Sequence, residues 1–243
     1  MPKYLFTFQK TETVRWLGHL DILRTFERAI RRAALPIAFS TGFNPRERIS
    51  FASALSTGVT GAAEPAIIEL TEPVDADEIM NRLNAALPPA IQIGPCVEIP
   101  DAGSRDVLNA FGRADFEVTC AVDPEIATSR IAEAVCSLLA QPHIAITRER
   151  EGRSKSVDLR PLLYHLALSN DRPALDRILL EMTLAVGEQG NAKAGEVVTA
   201  LEPYVPGITL RRAHRVRLIR AEAGKQISNR QVSDDPGHLI PNT

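Results

Sequence analysis

Arg24, Arg28 and Arg31 recur at i, i+4 and i+7, the spacing that sets three guanidinium groups in one ridge along a helix. Arg32 flanks them, and only Asp21 and Glu27 lie close enough in sequence to offset them. Like charges so spaced destabilise a helix by roughly 0.2–0.5 kcal/mol per close pair. They call for acids elsewhere in the chain or for an anionic ligand. The guanidinium fork matches phosphate oxygens two at a time, which tilts the choice toward phosphate. Next comes Gly42-Phe43-Asn44-Pro45. Gly allows a positive φ and Asn before Pro is pushed into an extended conformation, so the four residues form a turn. Phe43 is an aromatic in that turn. It either plugs an edge of the core or offers a stacking platform for a base, with Asn44 beside it and Arg46 and Arg48 holding neighbouring phosphates. His19 opens the arginine helix. It is a candidate general acid or base toward a ribose hydroxyl, or a structural histidine bonded to backbone or to Asp21.

Two further stretches carry cations. Residues 152–170 hold Arg153, Lys155 and Arg160, with Asp158 placed to pair with Arg160. Near the end, Arg211, Arg215 and Arg217 fall on odd positions of a strand pattern, with Leu210, Val216 and Leu218 opposite. Arg212 and His214 break the alternation, which predicts a bulge near Ala213. Phosphate-loop, dinucleotide-fold, zinc-protease and nucleophile-elbow motifs are all missing from the sequence. Cys96, Cys120 and Cys136 are spaced for neither a metal site nor a redox pair, so no metal and no cofactor is expected. Cys120 and Cys136 are expected to be buried thiols. The chain lacks the three clustered cysteines that hold a radical-SAM iron–sulfur cluster.

These groups sit on 243 residues with a net charge of −2, 44% apolar and 24% charged residues, the balance of a soluble globular protein. The total hides segregation. Residues 15–48 carry seven Arg against three acids, residues 61–120 eleven acids against three Arg, and residues 205–230 six Arg and one Lys against one Glu. Either the basic and acidic segments pack together and cancel, or they form a basic face. No apolar run of membrane-spanning length and no leader pattern occurs, so a cytoplasmic protein without a membrane partner is expected.

The elements that must position these residues read as α+β. Strands are expected at 3–10, 36–40, 48–54, 65–71 and 91–99, with helices from Gly18 and over 75–87. Leu20, Leu23, Phe26, Ile30 and Ala33 make the expected buried stripe of the first helix. Residues 101–114 read as a linker. The pattern then returns: strand 115–122, helix 123–140 capped by Asp123, strand 143–150, an insert at 152–170, strand 175–186, helix 192–201 and strand 208–219. The second half follows the strand–helix–strand–strand–helix–strand order and the first follows it with one extra strand, so two tandem ferredoxin-like (split βαβ) halves with antiparallel sheets are expected, 1–100 and 115–220. Residues 221–243 read as a disordered tail.

His19-Leu20-Asp21, Arg28 to Ala33, Leu35-Pro36, Ser40, Gly42-Phe43-Asn44-Pro45, Ile49-Ser50-Phe51-Ala52 and Gly58-Val59 together resemble the radical-SAM-linked protein family, and Val157-Asp158-Leu159-Arg160-Pro161 resembles its second half. The family often has His-Pro after the turn, where this chain has Arg46-Glu47. The resemblance implies an accessory protein that works with a radical-SAM enzyme, fused or separate, in RNA modification or processing. The residues themselves leave three readings open: an RNA-binding adaptor, an RNA-processing enzyme using His19, and a protein-interaction scaffold whose arginines pair with acids of the same chain.

Overall fold

The computed structural model describes residues 1–100, 104–150, 152–187 and 190–220. The expected tail, 221–243, and the first residues of the expected linker, 101–103, lie outside them. Strand β1 (Lys3–Lys10) buries Tyr4, Phe6, Phe8 and Lys10 on one face by simple alternation. Helix α1 (His19–Arg32) starts where the Asp21 carboxylate accepts the Gly18 N–H at 3.1 Å. Its buried stripe is Ile22, Phe26, Ala29 and Ile30, packed on the aromatics of β1, with Phe8 edge-on to Phe26 at 5.1 Å. Strands β2 (Ile49–Phe51) and β3 (Val59–Glu69), helix α2 (Ala76–Ala86) and strand β4 (Ile93–Ile99) complete the first run. The Asp75 carboxylate caps α2 by accepting the N–H groups of Asp77 and Glu78.

The second run comprises α3 (Ser104–Asn109), β5 (Phe111–Ala121), α4 (Thr128–Leu139), β6 (Ala145–Arg150), β7 (Arg153–Asp158), β8 (Leu163–Leu168), β9 (Arg177–Ala185), α5 (Ala194–Leu201) and β10 (Thr209–Arg220). One eight-stranded sheet takes the order β4-β1-β3-β10-β5-β9-β8, with β2 beside the far end of β3; β6 and β7 form a separate hairpin. Numbered within its own run and leaving that hairpin aside, each half therefore lies in the spatial order fourth, first, third, second strand. All pairings are antiparallel except β3 with β10, which is parallel over Val59–Gly61 and Ala213–Arg215. One edge of β3 is thus shared, β10 taking its start and β2 its end. Pro65, which has no N–H to give a ladder, sits between the two stretches. The contact of Arg215 on β10 with Glu64 on β3 puts the helix-covered faces of both runs on the same side. Helix α3 lies on the other side, where Leu108 packs with Ile67 and Ile99.

Several expectations are corrected. Residues 36–40 do not form a strand. They make two isolated bridges, Ile37 to Leu70 and Phe39 to Glu47, because the chain turns tightly after Pro36, with the Ile37 N–H on the Leu35 carbonyl. Residues 104–114 are helix and strand rather than linker, since Leu108 and Phe111 supply buried apolar side chains. Helix α4 starts at Thr128 and not at Asp123. The Asp123 carboxylate instead accepts the Glu125 N–H and closes a turn ahead of the helix. The stretch 152–170 is no appended insert: β8 within it fills the second-strand place in the sheet, and 145–150, expected there, pairs with β7 instead. Leu20 is exposed, because the stripe of α1 runs through Ile22 and leaves Leu20 four residues before Arg24 on the solvent side. Cys136 is exposed one position off the buried stripe Ile131, Ala134, Val135 and Leu138, whereas Cys120 is buried and its thiol pushed up to about 12 by burial.

Candidate nucleic-acid interface

The exposed side of α1 carries Leu20, Arg24, Arg28 and Arg31 in succession. Arg31 is occupied: its Nε donates to the Glu47 carboxylate at 2.7 Å and a terminal nitrogen donates to the same oxygen. Glu47 is buried, so this bond ties the end of α1 to the segment between the Gly-Phe-Asn-Pro turn and β2. Arg48 is occupied too, donating to Glu69 at 3.0 Å and to the Phe39 carbonyl. Arg24, Arg28 and Arg46 are exposed and their side chains have no bonded partner among the described residues. The acidic stretch 61–120 therefore cancels part of the basic charge, through Glu64, Glu69 and Asp115, and leaves the middle of the α1 ridge uncompensated.

The turn is clamped at its base by the Ser40 N–H on the Arg46 carbonyl and by the Arg46 N–H on the Ser40 hydroxyl, both close to 3 Å. Gly42 has φ +139, which a side chain would resist. Phe43 at the tip is 102% exposed, so it plugs no part of the core, and Asn44 beside it is exposed as well. At the opposite end of α1, Trp16 is 66% and Leu20 62% exposed, with the Arg15 guanidinium over the Trp16 ring at 4.6 Å. The arrangement is a line of uncompensated arginines with an exposed aromatic at each end. Trp16 and Leu20 were missed by the sequence reading; the signal was a single Trp in a polar loop and a Leu at the i−4 position of the arginine ridge.

A second concave region lies at the seam between the runs. A cleft of about 1070 Å³ is bounded by residues 54–57, the β6–β7 hairpin and the start of α5, with Ala213 and Arg215 of β10 below. Arg153 and Lys155 stand on the hairpin over it. Arg148 beside them is held by both oxygens of Glu196, at 2.7 and 2.8 Å, which raises its pKa. Arg160 is elsewhere, its side chain donating to the Leu163 carbonyl and its N–H to Asp158. Asp158 also receives His143 Nδ1 at 2.8 Å and the Ile144 N–H; these bonds, His143 first, hold its carboxyl down at about 2. Arg211 is exposed, and the β10 register slips between Leu210 and Arg212, two residues before the expected position at Ala213.

Arg215 is not part of an exposed basic face. It is 2% exposed, donating through Nε at 2.8 Å and through a terminal nitrogen to the two oxygens of Glu64, and to Ser53. Gly61 lies so close beneath that a Cβ there would stand 2.4 Å from Glu64 Oε1. Lys10, 1% exposed, completes this group and donates to the Leu17 carbonyl at 2.8 Å. Burial draws its ammonium down to about 8, with Glu64 opposing the shift and Arg215 adding to it. His19 stands beside Lys10 and Glu64, exposed and edge-on to Phe51 at 5.5 Å. The open space there is about 10 Å³, room for about one water. On the outer side, His214 Nδ1 meets the Thr60 hydroxyl at 2.8 Å, and burial with the nearby Arg212 lowers its pKa. No cluster of metal-ligating side chains occurs among the described residues, and none of their helices is long and apolar enough to cross a membrane.

Fold and surface together define a mixed α+β protein: a mostly antiparallel sheet, four helices on one face, and cationic surfaces at α1 and at the seam. The chain belongs to the family described as "Uncharacterized protein conserved in bacteria (DUF2344)", whose model matches residues 3–194. A search of curated proteins finds no match. Among solved structures it is similar to a chain in the crystal structure of a Cbf5-Nop10-Gar1 complex, with a TM-score of 0.52, 9% identity, and coverage of 88% of this chain and 48% of that one. It is also similar, at a TM-score of 0.48 and 8% identity, to a chain in the structure of an H/ACA RNP bound to a substrate RNA containing 2'-deoxyuridine, covering 88% of this chain and 47% of that one. The chain thus spans about half the length of these structural neighbours, and the first likeness, at 9% identity, concerns the fold alone.

Proposed function

We propose that this protein is an RNA-binding accessory factor that acts beside a radical-SAM enzyme in RNA modification or processing, and that its two strand runs are tandem ferredoxin-like units. The observation that carries the RNA reading is the α1 ridge: Arg24 and Arg28 lack any acid partner among the described residues and lie between exposed Trp16 and exposed Phe43. Uncompensated guanidinium groups hold phosphates, and exposed rings at either end stack bases; interleaving the two is how single strands are held without a base code. Arg46 adds a third free cation at the turn. The radical-SAM partnership rests on the family resemblance of the first half. The strand order fourth, first, third, second in each run supports the ferredoxin-like reading.

The scaffold reading draws on Arg31, Arg48 and Arg215, each bonded to a glutamate of the same chain. It leaves the free ridge without a role. The test is binding of cellular RNA across a salt series, wild type beside Arg24→Glu/Arg28→Glu. Arg31 is left unchanged because it anchors Glu47. For a single strand the log–log slope is expected near −0.7 per neutralised phosphate. The variant is expected to lose that slope and most of its affinity while melting like the wild type. Wild-type binding that is absent or indifferent to salt would overturn the RNA reading and leave the scaffold.

A further inference from the structure

The arginine ridge leads to the seam cleft, and the cleft has a charge layout of its own. At the start of α1 the Gly58 N–H donates to the Arg15 carbonyl at 2.8 Å, and Gly58 (φ +83) packs beneath the Trp16 ring, where a Cβ would stand 3.2 Å from it. Residues 54–57, just before Gly58, are one wall of the cleft of about 1070 Å³. The opposite wall is the β6–β7 hairpin. Ile146 and Val157, paired across it, join the second core, so the alternate positions Arg148, Lys155 and Arg153 also turn toward the cleft and α5. Glu149, paired with Ser154 on the alternate positions, also borders the cleft and sets one carboxylate against its cations.

The floor is apolar and electrically quiet. Val59, Ala213 and Leu210 line it, and Leu210 is left 41% exposed there. Arg215 beneath is neutralised by Glu64, and Arg148 by Glu196. The positive charge that remains is at the mouth: Arg153 and Lys155 on the hairpin and Lys193 at the start of α5, all exposed and none with an ion-paired acid among the described residues. Lys155 stands directly across the strand pair from Arg148, whose charge Glu196 already meets, and so faces the mouth as a cation without an acid of its own among the described residues. An apolar floor wide enough for a ring, under a cationic mouth, fits a ligand that is flat and apolar at one end and anionic at the other.

We propose that the seam cleft takes a single nucleotide unit, its base on the Leu210–Ala213 floor and its phosphate against Arg153, Lys155 and Lys193. The proposal rests on the reading of α1 as the surface that holds the strand, and makes the cleft the place where one unit of that strand leaves it.

The test uses the full chain and titration calorimetry with the four ribonucleoside 5'-monophosphates, the unphosphorylated ribonucleosides and inorganic phosphate. At least one monophosphate is expected to saturate one site per chain, more tightly than its nucleoside or phosphate alone. Arg153→Glu/Lys155→Glu, which removes no side-chain bond among the described residues, is expected to weaken it by about tenfold or more. Leu210→Trp, which fills the floor, is expected to weaken it as well. Arg24→Glu/Arg28→Glu is expected to leave mononucleotide affinity within about twofold while losing affinity for a single-stranded oligonucleotide. No saturable mononucleotide binding, or binding indifferent to both cleft variants, overturns the assignment. Unchanged oligonucleotide affinity in the ridge variant, with mononucleotide binding still lost in the cleft variants, overturns the role of α1 and upholds the occupant of the cleft.

Discussion

Glu64 and Arg215 meet across the parallel seam between β3 and β10, 151 residues apart in sequence, with Nε 2.8 Å from Oε1 and neither residue more than 3% exposed. The ladder at that seam is three residue pairs long. A buried ion pair is favourable only when its hydrogen-bonding capacity is met, and here the guanidinium also reaches Ser53. The bond therefore holds in place the one junction at which the two strand runs share a sheet.

Removing one partner strands a charge in the interior. Arg215→Met and Glu64→Gln are each expected to lower stability by about 3–5 kcal/mol, read as a shift in urea midpoint at constant slope. The double variant Glu64→Met/Arg215→Met is expected to lose less than the sum of the singles, since it strands neither Glu64 nor Arg215 and leaves only Lys10 without its acid. A double variant whose loss equals the sum of the singles would show that the two residues act independently.

Lys10 gives the same cluster a pH dependence. Burial lowers its pKa from 10.5 to about 8 in the folded chain. Below pH 8 the ammonium is charged in both folded and unfolded states and its burial penalty is constant. Between 8 and 10.5 the folded chain sheds the proton while the unfolded chain keeps it, so this group makes stability rise with pH across that window. Paired denaturation curves of wild type and Lys10→Met from pH 7 to 10.5 isolate the effect. The wild-type minus variant difference is expected to climb through the window, and a flat difference would mean Lys10 titrates normally.

The end of α1 carries strain that a single substitution relieves. The Leu35 N–H bonds the Ile30 carbonyl and the Ala34 N–H the Arg31 carbonyl, the helix-terminating pattern that wants a left-handed residue between them. Ala34 occupies that place at φ 47. A non-glycine residue there costs roughly 1–2 kcal/mol, less the entropy glycine loses on folding. Ala34→Gly is therefore expected to stabilise the protein by up to about 1 kcal/mol, measured as a rise in Tm. A fall would mean that the bonds from Arg82 to the Ala33 and Ala34 carbonyls had already set the turn for alanine.

What the sequence made legible was local. The 3.6-residue recurrence of Phe26 and Ile30, the helical pattern over 75–87 and the turn chemistry of residues 42–45 place α1, α2 and the exposed loop. The α1 stripe was still misread at Leu20, because a window containing Leu20, Ile22 and Leu23 is apolar enough to fit two adjacent registers and only packing on β1 chooses Ile22. The stretches 145–150 and 163–168 are both short and mixed in character. Which of them enters the sheet depends on pairing with β9, a partner that no window around either contains. Arg215 reads as one more cation in an alternating basic strand; its burial follows from Glu64, distant in sequence. Charge counts by segment pointed to both cancellation and a basic face. The two coexist, cancelled at Arg31, Arg48 and Arg215 and open at Arg24 and Arg28.

Phe43 separates a binding role from a structural one. Its side chain is wholly exposed and belongs to neither large apolar cluster. Phe43→Ala should therefore leave stability within about 0.5 kcal/mol of wild type. If the ring stacks a base, the same substitution is expected to weaken single-strand binding by about 1–3 kcal/mol. Because stacking neutralises no phosphate, it should do so without changing the salt slope, whereas Arg24→Glu/Arg28→Glu should change slope and affinity together. Measuring both variants on one oligonucleotide at several salt concentrations distinguishes the contributions. Equal affinity for Phe43→Ala and wild type at every salt would remove the turn from the interface and confine it to the helix.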